Sequence, residues 1–189
     1  AFKQAVKINK NYAEAYNNMG IALKDMGKLN EALVSYNKAV AIQPNYAEAF
    51  HNMGIVLHEQ VKLEKSINAY KKALSINPNY VEAWNNMGVV LHEQNKLDES
   101  IAAYKKALAL NSSYAEAHNN IGLIFKARGE LDEALNSYKK AILFKPDFAY
   151  AYENIGVIFD KQGKKDQEIK NYIKLLTIKP NNEYMRIHK

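Results

Sequence analysis

The sequence predicts an all-α protein assembled from one helical hairpin copied along the chain. Three observations lead there. Gly20, Gly54, Gly88, Gly122 and Gly156 recur every 34 residues, and Asn18, Asn52, Asn86, Asn120 and Asn154 keep the same register; self-similarity at that period marks a repeat architecture. Each period holds two stretches whose apolar residues fall at helical spacing. Glycine, asparagine and proline sit at fixed places between them, which is turn chemistry.

Residues 1–12 carry Phe2, Ala5 and Ile8 in register with Tyr36, Ala39 and Ile42, so the chain is expected to open on the second helix of a partial repeat. Full periods follow at 13–46, 47–80, 81–114, 115–148 and 149–182, and 183–189 reads as the start of a further first helix, so that 1–189 form one array. Each first helix is announced by Asn11, Asn45, Asn79 or Ser113 with Glu14, Glu48, Glu82 or Glu116 three residues on, the spacing of a capping box. Asp147 followed by Tyr150 breaks that pattern in the fifth repeat. Pro44, Pro78, Pro146 and Pro180 stop the preceding helix, with Ser112 in their place once.

The turn inside each hairpin is marked by Gly27, Gly129 and Gly163, with Asn95 at the equivalent place, residues that accept a positive φ. Val61 occupies it in the second repeat, where a β-branched residue predicts either a locally different turn or a weak point. The second helices place Tyr36, Tyr70, Tyr104, Tyr138 and Tyr172 in register, with Ala39, Ala73, Ala107 and Ala141 three residues later. A large ring beside a small side chain lets helices approach closely. The first-helix glycines serve the same end, at a cost of ~1 kcal/mol each in a helix interior.

Composition bounds the rest. With 48% apolar and 24% charged residues the chain is globular in character, and without cysteine it has no disulfide, thiolate metal site or cysteine nucleophile. No stretch approaches the roughly 20 apolar residues of a membrane span, and no basic segment leads into an apolar run at the start, so an intracellular, cytoplasmic or nuclear location with no membrane partner is expected. The net charge of +6 raises nucleic acid as a partner.

In the third repeat Trp84, Met87, Gly88, Leu91, Tyr104 and Ala107 fall in the order aromatic, Met-Gly, Leu, Tyr, Ala, and this wording resembles the tetratricopeptide repeat. The resemblance covers almost the whole chain. Departures are few: His118 replaces the first aromatic, Ser66, Ser100 and Glu168 replace an alanine, and Leu175 replaces the last one. Lys165 and Glu168 make the fifth repeat the least regular. The resemblance implies antiparallel helix pairs stacked into a right-handed superhelical solenoid. Its first helices would line a concave groove that binds peptides or protein segments, without catalysis and without a cofactor.

The family's geometry points Asn17, Asn18, Ile21, Lys24 and Asp25, and their equivalents, toward that groove. One position is asparagine in every repeat: Asn18, Asn52, Asn86, Asn120 and Asn154. Its neighbour varies as Asn17, His51, Asn85, Asn119 and Glu153, and a side position varies as Lys24, His58, His92, Lys126 and Asp160. Asparagine is a mediocre helix former, so its recurrence inside a helix wants another reason. Its amide can pair with both groups of a peptide backbone. Stacked helices would space the amides by roughly 10 Å, about three residues of extended chain at ~3.3 Å each. The candidate peptide-binding set is this row with its neighbours and the tuning side chains Lys24, His58, His92 and Lys126. It is similar to the asparagine ladder in the repeat superhelices of O-linked N-acetylglucosamine transferases and importin-type solenoids. The competing account leaves the asparagines as solvated helix residues.

Other readings are weaker. A carboxylate clamp wants basic residues where Glu48, Glu82, Asn52 and Asn86 stand. Glu14, Glu48, Glu82 and Glu116 could form an acidic rim for basic peptides, although their capping spacing favours a structural role. His51 and His58 are ~10.5 Å apart along one helix, and His58-Glu59-Gln60 lacks the second histidine of a zinc hydrolase, so no metal is expected. Gly156 to Lys164 has the wrong spacing for a phosphate loop, and Asn111-Ser112-Ser113 is read as turn chemistry rather than a glycosylated sequon. The pairs Lys71 and Lys72, Lys105 and Lys106, and Lys139 and Lys140 sit on second helices as a solubility face, with no free aromatics for base stacking, so nucleic acid is not expected. Two further roles stay open: the substrate-recognition part of a larger glycosyltransferase, and end-to-end self-association through exposed array ends.

Overall fold

The computed structural model describes residues 12–180, so apart from Tyr12 the partial repeats expected at 1–12 and 183–189 lie outside the described residues. Among the described residues there are ten helices and no strand. First helices of the repeats are α1 (Ala13–Asp25), α3 (Ala47–Glu59), α5 (Val81–Glu93), α7 (Ala115–Ala127) and α9 (Ala149–Lys161). Second helices are α2 (Leu29–Ile42), α4 (Leu63–Ile76), α6 (Leu97–Leu110), α8 (Leu131–Phe144) and α10 (Lys165–Ile178). The chain divides into two compact units, Ala1–Ala103 and Tyr104–Lys189, the division falling within α6.

Every hairpin turns in the same way. After α1 the N–H of Gly27 donates to Lys24 O at 2.8 Å and that of Lys28 to Leu23 O at 2.9 Å, the paired bonds of a Schellman motif. The residue carrying the turn has φ +72° at Gly27, +60° at Asn95, +79° at Gly129 and +66° at Gly163. Val61 has φ +58° and makes the same pair of bonds, Val61 N to His58 O at 2.7 Å and Lys62 N to Leu57 O at 2.9 Å. The turn therefore does not change locally to suit valine. The six-residue closure from Leu57 to Lys62, set by the helices on either side, imposes a left-handed backbone on a β-branched residue.

The expected capping boxes do not form. The helix-flanking residues are Tyr12, Tyr46, Tyr80, Tyr114 and Phe148, none with a side-chain cap bond. Each helix starts one residue later than the box requires, which puts Glu48 at the second helical position instead of the third. The loop asparagines act locally instead: Asn77 Oδ1 accepts from Asn79 N and Asn111 Oδ1 from Ser113 N, both at 3.1 Å.

Packing explains the in-register glycines. A Cβ on Gly54 would stand 2.5 Å from Tyr70 Cε1, and one on Gly122 2.6 Å from Tyr138 Cε1. Tyr36, Tyr104 and Tyr138 are fully buried and Tyr70 is 1% exposed, so the glycine is the seat of the ring. In the first unit these rings are packed with Leu23, Ala32 and Val56, and with Ile67, Leu74, Met87, Val90 and Leu91. In the second, Tyr138 joins Leu135, Ile155 and Ile158. Ser66 and Ser100, which stand where alanine was expected, each donate to the glycine carbonyl behind the ring, Gly54 O and Gly88 O, at 2.7 Å. His118 keeps its aromatic predecessor's contact as well. Trp84 Nε1 reaches Pro78 O at 2.8 Å, and His118 Nε2 reaches Ser112 O at 3.0 Å while stacking on Phe144.

Within the first unit the backbone of α3 comes within 8 Å of those of α1 and α5, whereas the backbones of α2 and α4 stay farther apart; within the second α7 approaches α9 in the same way and α8 stays farther from α10. A stack drawn closer on one side curves toward that side. First helices therefore line the inner face of each unit.

Candidate functional site

The inner face is built from four positions of each first helix. In the first unit the row Asn18, Asn52 and Asn86 is half-buried, flanked by half-buried Ile21, Ile55 and Val89 one turn on. Lys24, His58 and His92 follow, also half-buried, with exposed Asp25, Glu59 and Glu93 beside them. In the second unit the corresponding side chains are Asn120 and Asn154, Leu123 and Val157, Lys126 and Asp160, and Ala127 and Lys161.

The neighbours of the row do not face the groove. Asn17 is fully buried, and His51, Asn85 and Asn119 are 7%, 5% and 6% exposed; of the five only Glu153 stays half-buried. These four were expected to meet a partner together with the row. For Asn17 and His51 the place in the helical turn instead points the side chain at the next repeat. Asn17 Nδ2 donates to Glu48 Oε1 and Asn17 Oδ1 accepts from Asn52 Nδ2, both at 3.0 Å. Both partners lie on α3, so one buried amide pins two side chains of the following repeat.

His51 does the same for α5. Its Nε2 lies 3.1 Å from Asn86 Nδ2 and its Nδ1 3.1 Å from the Tyr80 hydroxyl. An imidazole that accepts from an amide at Nε2 carries its proton on Nδ1, and that proton goes to the tyrosine oxygen. Burial lowers the His51 pKa to about 4, against the opposing pull of Glu82 and Asn52, so the ring is neutral at pH 7. The Tyr80 and Tyr70 rings lie 4.7 and 5.7 Å from it.

The pairing in the first unit is thus one residue longer than the repeat: Asn52 and Asn86 each donate to the side chain 35 residues before them. Sequence reasoning registered the 34-residue columns and missed this diagonal. A signal was available, since the neighbouring column holds an amide or an imidazole, Asn17, His51, Asn85 and Asn119, in the first four repeats.

In the second unit the diagonal fails. Asn119 Oδ1 is buried without a hydrogen-bond partner. The residue due to serve it, Asn154, gives its Nδ2 to Tyr150 O at 2.9 Å, and its Oδ1 accepts from Lys126 Nζ at 2.5 Å. Burial, with Lys161 as a second positive charge, lowers the Lys126 pKa.

Charge is unevenly placed. The first helices of the first unit carry Glu14, Asp25, Glu48, Glu59, Glu82 and Glu93 against Lys24 alone, in a chain of net charge +6. Lys24 pairs with Asp25 at 3.2 Å, and His58 Nε2 meets Glu93 Oε2 at 2.8 Å. With the capping boxes absent, these glutamates have no helix-starting bond to explain them. Lys71, Lys72, Lys105, Lys106, Lys139 and Lys140 are exposed on second helices. No group of three or more histidines and carboxylates among the described residues could hold a metal ion. No helix among them is long and apolar enough to cross a membrane.

Comparison with known proteins gives one consistent likeness. A model described as TPR repeat matches residues 22–61, 62–95, 90–129 and 122–163, and models described as tetratricopeptide repeat match 1–34 and 149–182. Among solved structures, MamA is similar at a TM-score of 0.75 and 28% identity, over 85% of this chain and 94% of that one. YrrB, described as a TPR protein with an unusual peptide-binding site, is similar at a TM-score of 0.71 and 25% identity, over 96% and 94%. PilF of Pseudomonas aeruginosa shares the fold at a TM-score of 0.83 and 20% identity, over 91% and 78%. No curated protein matches by sequence.

Proposed function

We propose that this chain, which belongs to the tetratricopeptide repeat family, holds an extended segment of another protein along the inner face of its first helices. Arrays of this family are scaffolds for protein interaction, and YrrB, of the same fold, carries a peptide-binding site. The observation that carries the proposal is the half-buried asparagine row beside half-buried Ile21, Ile55 and Val89.

The row works through its carbonyls. Asn52 and Asn86 spend Nδ2 on the preceding repeat; each amide oxygen has two lone pairs and keeps room to accept. A partner backbone would donate N–H groups to these oxygens while its side chains rest on the aliphatic row. Lys24, His58, His92 and Lys126 tune which side chains fit. The carboxylates on the first helices of the first unit favour a segment with basic residues, and rim charges of this kind act chiefly on the association rate.

Nonapeptides selected from a random displayed library and remeasured by fluorescence anisotropy test the reading. Asn52, Asn86 and Asn120 changed together to alanine should weaken binding at least tenfold. Because those changes also cut links between repeats, the control is Asn17→Ala, which alters the buried side of the diagonal and leaves the groove surface intact. If row and control variants lose binding equally, the row is only structural and the proposal falls.

A further inference from the structure

Resting on that reading of the inner face, we propose that the second unit carries an anion subsite at Lys126. A carboxylate side chain of the bound segment takes the Lys126 ammonium, and Asn154, released, turns its amide onto the buried Asn119 carbonyl.

Four observations meet here. Lys126 is half-buried, and its hydrogen-bond partner is a neutral amide oxygen, Asn154 Oδ1, with no carboxylate of the described residues within ion-pair distance. Lys161, on the same helix as Asn154, adds positive charge nearby, and burial together with this charge disfavours the lone ammonium. Asn119 is 6% exposed with its Oδ1 unpartnered, a state that costs ~1–3 kcal/mol. The first unit shows the satisfied form: Asn17 Oδ1, in the position of Asn119, accepts from Asn52 Nδ2 at 3.0 Å.

A single exchange removes both defects. The ligand carboxylate gives Lys126 a charged partner, which is a stronger acceptor than an amide. Asn154 then has no ammonium to hold its oxygen, and turning its Nδ2 from Tyr150 O to Asn119 Oδ1 makes in the second unit the link already present in the first. Occupation of the subsite thereby ties α9 to α7. A glutamine at the same ligand position has no charge to offer and leaves Asn154 where it is.

The test titrates the full 15N-labelled chain, at constant ionic strength, with two blocked heptapeptides of alanine that carry glutamate or glutamine at the centre. The glutamate peptide should bind about threefold to tenfold more tightly. Only it should move the side-chain amide signals of Asn119 and Asn154 together. Lys126→Gln should bring the ratio to near one with helicity kept, and Lys126→Arg should retain the preference. Asn154→Ala should silence the Asn119 response while the glutamate preference stays. Equal affinities for the wild type, or a preference that survives Lys126→Gln, overturn the subsite and leave the groove reading standing. Binding of neither peptide removes the groove reading for such segments, and glutarate then decides the subsite alone: a saturable shift of both asparagine signals supports it, and none overturns it.

Discussion

Val61 is the residue most out of place for its backbone, and its replacement by glycine should stabilise the protein. It holds φ +58° at the turn where other repeats place glycine or asparagine, and its side chain is 77% exposed. A left-handed conformation costs an L-residue roughly 1–2 kcal/mol, and little packing is lost on removing so exposed a side chain. Glycine gives back about 0.4–1 kcal/mol through its freer unfolded chain. The net gain for Val61→Gly is then about 0.5–1 kcal/mol, or ~1–4 °C in a chain of this length. Val61→Asn should gain a similar amount, because asparagine tolerates the left-handed region and already serves at Asn95, φ +60°. The reverse change, Gly129→Val at φ +79°, should lose about 0.5–1 kcal/mol on the same balance. Urea unfolding followed by circular dichroism, with thermal melts alongside, reads all three. A destabilised or unmoved Val61→Gly, together with a harmless Gly129→Val, would refute the view that the closure rather than the residue dictates the turn.

Three other changes probe packing and charge. Gly54→Ala brings a Cβ to 2.5 Å from the Tyr70 ring; overpacking of about 1–3 kcal/mol outweighs the ~1 kcal/mol that alanine gains in a helix, so the urea midpoint should fall. Ser66→Ala removes the buried bond to Gly54 O and should cost about 1 kcal/mol in the same assay, a neutral result showing the hydroxyl to be idle. His51 supplies a pH signature. The unfolded ring takes its proton from pH 6.5 downward and the folded one only near 4, so stability is complete above 6.5, falls as pH drops from 6.5 to about 4, and then levels. The gap is worth about 3 kcal/mol at most. His51→Asn, which restores the side chain found at Asn17 and Asn85, should flatten that slope between pH 6.5 and 5; an unchanged slope would place the titration elsewhere.

The fold was legible because its determinants are local and periodic. Gly54 and Tyr70 announce a close helix contact by residue type, and Gly27 announces a left-handed turn by its freedom of φ. Val61 shows the limit of such reasoning, since a residue's preference yielded to a closure fixed by α3 and α4. The capping boxes failed for a related cause: Asn45 and Glu48 have the spacing of a box, but a shift of one residue in the helix start turned the glutamate toward Asn17 of the previous repeat. The site was legible by column and not by depth. Asn17 and Asn18 differ by one step of 100° around a helix, and that step separates a fully buried amide from a half-buried one. Which of two identical adjacent residues is covered depends on where the next helix lies, and that information is not in either residue.

The diagonal links bear on what binding can do. In the first unit the amides proposed to meet a partner, Asn52 and Asn86, are the same amides that fasten α3 to α1 and α5 to α3. A partner that donates to their oxygens polarises the amide and strengthens its remaining N–H as a donor, so each captured backbone group tightens the joint beneath it. Binding and stacking should therefore be positively coupled: a bound segment slows amide exchange at the ends of α3 and α5, and variants that weaken the joint from its buried side, such as Asn17→Ala, bind with modestly lower affinity even though no groove atom has changed. By reciprocity the two effects must be equal in free energy. Exchange protection that rises with occupancy, with an Asn17→Ala affinity loss of matching size, would establish the coupling; protection unchanged by saturating peptide would separate the row's two roles.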